Sequence, residues 1–144
     1  MRDKRWFGCL AITVVAFLPS ACGDDSPDAV PFDSIPKDKK LVDLSPGERQ
    51  GACQWAGDVA RQKLGSATCG GQPLTLSGCV FPSGAQCTAT VGQWEVCLPN
   101  VFGELAKDPC QLFSFAFSPN GFSDFVNGIP GCEGQGACTY QTTQ

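Results

Sequence analysis

Cysteine carries most of the chemistry open to this chain. Ten cysteines occur in 144 residues, with no histidine at all. A Ser-His-Asp triad, a Cys-His pair and any histidine-ligated metal site are therefore excluded, together with the commonest general acid and base. From Cys53 to Cys138 successive cysteines lie 16, 10, 8, 10, 13, 22 and 6 positions apart. No CxxC occurs, which removes the thioredoxin-type redox pair and the zinc-ribbon spacing. What remains is disulfide formation among Cys53, Cys69, Cys79, Cys87, Cys97, Cys110, Cys132 and Cys138. This set is even, as full pairing requires. Spacing alone does not fix the connectivity.

Two other constellations fail as catalysts. Ser34-Ile35-Pro36-Lys37 matches an SxxK pattern but lacks the SDN and KTG partners that pattern needs. Glu95 and Glu104 are the carboxylates nearest to a glycosidase dyad, and a proline between them fixes neither their distance nor their facing. The sequence predicts no enzyme, no catalytic residue, no metal and no cofactor.

A third kind of chemistry lies at the amino terminus. Met1-Arg2-Asp3-Lys4-Arg5 is net positive, and Trp6 to Leu18 is an apolar run of 13 residues. That is too short to cross a hydrocarbon core of ~30 Å as a helix and long enough for the h-region of a signal peptide over 1–21. Leu18-Pro19-Ser20-Ala21-Cys22-Gly23 then resembles a bacterial lipobox, although Pro19 stands where the lipobox has leucine. The resemblance implies a diacylglyceryl thioether on Cys22 and cleavage just before it. Gly23, rather than aspartate, follows the cysteine, which implies the outer membrane or cell surface. Ala21-Cys22-Gly23 also fits ordinary signal peptidase, which would release a soluble secreted protein.

The elements that must position the paired cysteines are legible in part. Residues 22–44 carry Pro27, Pro31 and Pro36 among charges, a composition expected to form a flexible tether reaching about 70 Å when stretched. Residues 45–144 are expected to form the disulfide-stapled domain. Ser45-Pro46-Gly47-Glu48 reads as a capping box opening a helix over about 46–64, with Ala52, Cys53, Ala56, Val59, Ala60 and Leu64 as its apolar stripe. Trp55 on the stripe's shoulder is expected in the core, although its ring could stack a sugar. A short hairpin is expected over about 69–81. Thr90 and Gln93 make a second capping box for a helix over about 90–106, broken near Pro99.

The stretches Asp43 to Glu48 with Cys53-Gln54-Trp55, Cys87 to Cys97, and Asp108-Pro109-Cys110 resemble small cysteine-rich lipoproteins of social gliding Gram-negative bacteria. The resemblance covers roughly residues 43–110 and implies export and disulfides, with no assigned activity. The phenylalanine-rich tail departs from that pattern. There Phe113, Phe115 and Phe117 alternate with small residues, a period of two that predicts a strand with one apolar face. Those three residues, with Phe122 and Phe125, are the candidate interface for a protein or lipid partner if they are not core. Beyond Asn127 a glycine-rich loop is expected, with Cys132 and Cys138 placed to close it.

The fold class expected is thus α+β, a small disulfide-rich domain with two main helices, a short hairpin and a loop-rich C-terminal tail. Without residues 1–21 the ten basic and fourteen acidic residues fall to seven and thirteen, a net charge of −6, which disfavours nucleic acid as a partner. Lys37-Asp38-Lys39-Lys40, the one basic cluster, is read as solvating the tether. The functional expectation is an exported, lipid-anchored cell-envelope protein acting as a non-enzymatic interaction or structural module. Its partners would be the membrane, through Cys22, and an unknown protein. The alternative is a secreted disulfide-rich effector, inhibitor or toxin-like.

Overall fold

The computed structural model describes residues 28–74, 78–115, 121–135 and 137–143. Its elements are two short 3₁₀ turns, Phe32–Ser34 and Leu41–Asp43, then helix α1 (Pro46–Leu64), strands β1 (Thr68–Cys69), β2 (Gln72–Pro73) and β3 (Cys79–Ser83), helices α2 (Val91–Lys107), α3 (Gln111–Phe115) and α4 (Gly121–Asn127), and strand β4 (Thr139–Thr143). The fold is α+β and disulfide-rich. No helix among the described residues is long and apolar enough to cross a membrane.

Both main helices start where their capping boxes put them. The Ser45 hydroxyl accepts from the Glu48 amide at 3.3 Å while the Glu48 carboxylate accepts from the Ser45 amide at 2.7 Å. Thr90 and Gln93 repeat the exchange at 3.3 and 2.9 Å. Each box satisfies amides that a helix start otherwise leaves unpaired. Helix α2 runs unbroken through Pro99, contrary to the expected break. Proline removes one amide donor and crowds the preceding turn, yet Trp94, Leu98, Val101 and Leu105 are buried on one face across it. Continuous burial on both sides of the proline outweighs that local cost.

The segment expected to be a tether is instead part of the domain from residue 28 onward. Phe32, Ile35, Leu41 and Leu44 are all buried. Phe32 stacks on Trp55 with ring centroids 4.2 Å apart, and Trp94 sits 5.5 Å from Trp55 and 5.3 Å from Phe81. Four apolar residues spaced through a proline-rich stretch suffice to anchor it, because proline limits the entropy lost on docking. The backbone joins in: Leu41 N donates to Ala89 O and Val91 N to Lys39 O, both at 2.9 Å. Val30 lies across α1 where Gly47 and Gly51, one turn apart, open a notch. A Cβ at Gly51 would collide with the Val30 carbonyl.

The basic cluster therefore does more than solvate. Lys37 pairs with Glu95 at 3.1 Å, and Lys39 reaches both oxygens of Glu48 at 2.8 and 2.7 Å. The Lys39 hydrogen bonds, followed by the Ser45 amide, hold the Glu48 carboxyl at about 2 against an ordinary 4.5. A carboxyl pKa depressed by folding contributes stability above its unfolded value and loses it as pH falls through the folded one. The urea midpoint of the native protein should therefore fall between about pH 4.5 and pH 2 more steeply than that of Glu48→Gln. Parallel curves for the two proteins would contradict this assignment.

The hairpin is shorter than expected. It spans only Thr68 to Pro73, with Gly70 and Gly71 both at positive φ (59° and 80°), as a two-residue type I′ turn requires. Strand β3 pairs elsewhere, antiparallel with β4 in the register Cys79↔Thr143 to Ser83↔Thr139. The C-terminal tail is correspondingly less loop-rich than expected, carrying α3, α4 and β4.

The core divides into two apolar clusters. One gathers Phe32, Leu41, Ala52, Phe81 and Trp94, and the other Leu64, Cys97, Val101, Leu105 and Val126. Phe102 and Tyr140 pack against both.

Candidate functional site

All eight domain cysteines are consumed in disulfides. Cys53 bonds to Cys79, Cys69 to Cys110, Cys87 to Cys138 and Cys97 to Cys132, with Cα separations of 5.5, 5.0, 4.3 and 4.5 Å. Cys132 and Cys138 do not close the terminal loop on each other, since Cys132 reaches back to α2 and Cys138 to the loop between β3 and α2. No thiol of this set is left for nucleophilic or redox work, and four disulfides suit an oxidising, extracytoplasmic compartment. Cys22 lies outside the described residues. Among the described residues no group of three or more Cys, Asp or Glu side chains is placed to hold a metal ion.

The carboxylates do not converge. Glu95 pairs with Lys37 and Glu104 with Lys107. Nine residues apart on one helix, they are offset by about 13 Å along its axis, beyond the ~5–9.5 Å that a glycosidase dyad uses. The Trp55 ring is covered by Phe32 and is not free to stack a sugar.

The phenylalanine run is helical where it is described, not a strand. Phe113 and Phe115 lie in α3, and Phe117 lies outside the described residues. Two residues on a helix are about 200° apart, so the period of two that would align these rings on a strand separates them. Phe113 turns outward and is 57% exposed. Phe115 turns inward to Phe122 and Phe125 of α4, with centroids 5.6 and 5.0 Å away, and Phe122 meets Tyr140 edge-on at 5.0 Å. Phe113 and Phe115 therefore do not share a face. Phe115, Phe122 and Phe125 form a half-buried cluster.

That cluster borders a cleft of about 570 Å³ running between α1, α2 and the α4–β4 segment. Its existence follows from the composition of α1. Between Cys53 and Leu64 this helix lines the cleft with Ala56, Gly57 and Ala60, side chains too small to fill the space beside Leu98, Val101 and Leu105 of α2. The walls are apolar, with two neutral polar groups set into them. The Tyr140 hydroxyl donates to Gln135 Oε1 at 3.1 Å, and Gln135 Nε2 donates to the Gln93 carbonyl at 3.4 Å. Burial pushes the Tyr140 phenol up to about 12, so it stays protonated. Arg61, paired with Asp58 and largely exposed, is the one charged residue of the lining.

Sequence reasoning missed Gln135 and Tyr140. Tyr140 had a signal, being the chain's only tyrosine within a Thr-Tyr-Gln-Thr-Thr run of strand-forming type. Gln135 had none. Comparison of the chain with protein-family models, curated proteins and solved structures found no match in any of the three.

Proposed function

We propose that this is an exported cell-envelope protein, lipid-anchored through Cys22, whose disulfide-stapled domain is a non-enzymatic interaction module at the outer membrane or cell surface. The observation that carries this reading is the pairing of all eight domain cysteines, a state that persists only where thiols are oxidised. The basic start, short apolar run and Cys22 of the sequence supply the route and the anchor. The resemblance to cysteine-rich envelope lipoproteins agrees with both. Since the domain begins by residue 28, only about 20 Å of chain separates it from Cys22 at full stretch. An anchored domain would therefore ride close against the bilayer.

Fractionation and mass spectrometry of the exported protein test the anchor. The native chain should sediment with membranes and carry a diacylglyceryl mass on its Cys22 peptide, and Cys22→Ser should move to the soluble fraction. A mature chain that begins at Asp24 without lipid would instead establish the secreted effector.

A further inference from the structure

The cleft is suited to a ligand of definite chemistry. Protein interiors are packed to crystal density with few voids larger than a water molecule, whereas a concavity of about 570 Å³ lies in the range of small-molecule sites, ~300–1,000 Å³. Its floor is the core itself, since Trp94, Leu105 and Gln135 stand directly behind its wall at 1%, 0% and 1% exposure. Nothing charged lies inside, because the Arg61 guanidinium is at the rim with Asp58. A buried ionic head would have no counter-charge and would meet the full cost of desolvation.

The polar pair narrows the choice further. Tyr140 spends its one hydroxyl proton on Gln135, which leaves lone pairs on the phenol oxygen to accept. Gln135 is enclosed and held by the Gln93 carbonyl, so its amide orients the phenol from behind the wall. A lone acceptor set in an apolar wall matches an uncharged group that donates a hydrogen bond. Alcohols and amides have that property; carboxylates, alkylammonium ions and ketones do not.

We infer that the cleft between α1 and α2 binds an uncharged amphiphile, an alkyl body lying against Ala56, Gly57 and Ala60 with a hydroxyl or amide donating to the Tyr140 phenol oxygen. This goes beyond the envelope reading and does not depend on the anchor.

The test uses the oxidised chain from Gly23 onward, prepared without detergent, which contains every described residue and all eight paired cysteines. Decan-1-ol is titrated by calorimetry and by tryptophan emission, with decanoate ion at neutral pH as the charged control. One decanol should bind per chain, with decanoate roughly tenfold weaker. A Cβ at Gly57 has no neighbour closer than the Arg61 guanidinium at 3.7 Å. Gly57→Leu should therefore fold, fill the cleft and weaken decanol roughly tenfold or more. Tyr140→Phe should weaken it about fivefold, the worth of one hydrogen bond.

Ala60→Leu serves as the filling variant should Gly57→Leu fail to fold. Any of three results overturns the inference: no saturable binding of decanol up to its solubility limit, decanoate binding as tightly as decanol, or a folded filling variant that retains native affinity. A second copy of the chain seated in the cleft would appear as the first of these, accompanied by a dimer in sedimentation.

Discussion

The double substitution Cys97→Ala/Cys132→Ala should lower the stability of the oxidised domain by about 4 kcal/mol, read as a fall in the urea midpoint. Loop closure across the 35 residues this bond spans accounts for most of that figure, by the entropy it removes from the unfolded chain. The four bonds span 26, 41, 51 and 35 residues, and because loop entropy rises only with the logarithm of length, their entropic contributions agree within about 1 kcal/mol. Burial distinguishes them. Cys97 and Cys132 are both fully enclosed in the second apolar cluster, so the alanine pair also leaves a void there. Cys110 is exposed and Cys69 half-buried, so Cys69→Ala/Cys110→Ala should cost less, and that bond should be the first to yield to mild reductant. Thiol labelling of the denatured, unreduced domain should find no adduct on the eight cysteines. A label on any of them, or equal losses for the two double mutants, would contradict this account.

Trp94→Ala is expected to cost about 3–5 kcal/mol, a large part of what a domain of this size possesses. The indole is 1% exposed and is the hub of the aromatic contacts, meeting Phe32 from the segment before α1, Trp55 from α1 and Phe81 from β3. Three separate stretches of chain lose their common partner at once. Phe113→Ala is the matched control: its ring is outward on α3, so its melting temperature should stay within the range of surface substitutions, about 0.5 kcal/mol either way. Phe115→Ala belongs between the two. Thermal melts of the three variants settle the order, and a Phe113 variant as damaged as Trp94→Ala would mean that α3 packs differently.

What could be read from the sequence was what depends on near neighbours. The capping boxes at Ser45 and Thr90 and the apolar spacing beyond them located α1 to the residue and α2 to within one residue at each end. Pairing of the eight domain cysteines followed from their even number and the lack of any other chemistry for them. What escaped depends on distant parts of the chain. The partner of β3 lies beyond α2, α3 and α4, and no local pattern near Cys79 names it. The docking of Phe32 required knowing that Trp55 and Trp94 would meet. The phenylalanine alternation favoured a strand, but Gln111–Phe115 folds as a helix, three residues beyond the end of α2. The cleft was least legible of all, because it is made by residues too small to announce themselves and by a tyrosine contributed from the far end of the sheet.

The connectivity also sets an order of events for a chain that emerges amino-terminus first through a narrow passage. Cys53 to Cys110 arrive as six, and four of them are one another's native partners. Cys87 and Cys97 must then wait for Cys138 and Cys132. During that wait they lie ten positions apart in sequence, close enough to oxidise with each other, since loops of about 10 residues close within ~10–100 ns. A Cys87–Cys97 bond formed in that interval must be broken again by thiol exchange before the sheet can close. If the chain is exported as proposed, its maturation calls for a disulfide isomerase as well as an oxidant, and the sheet closes only when its last strand is released.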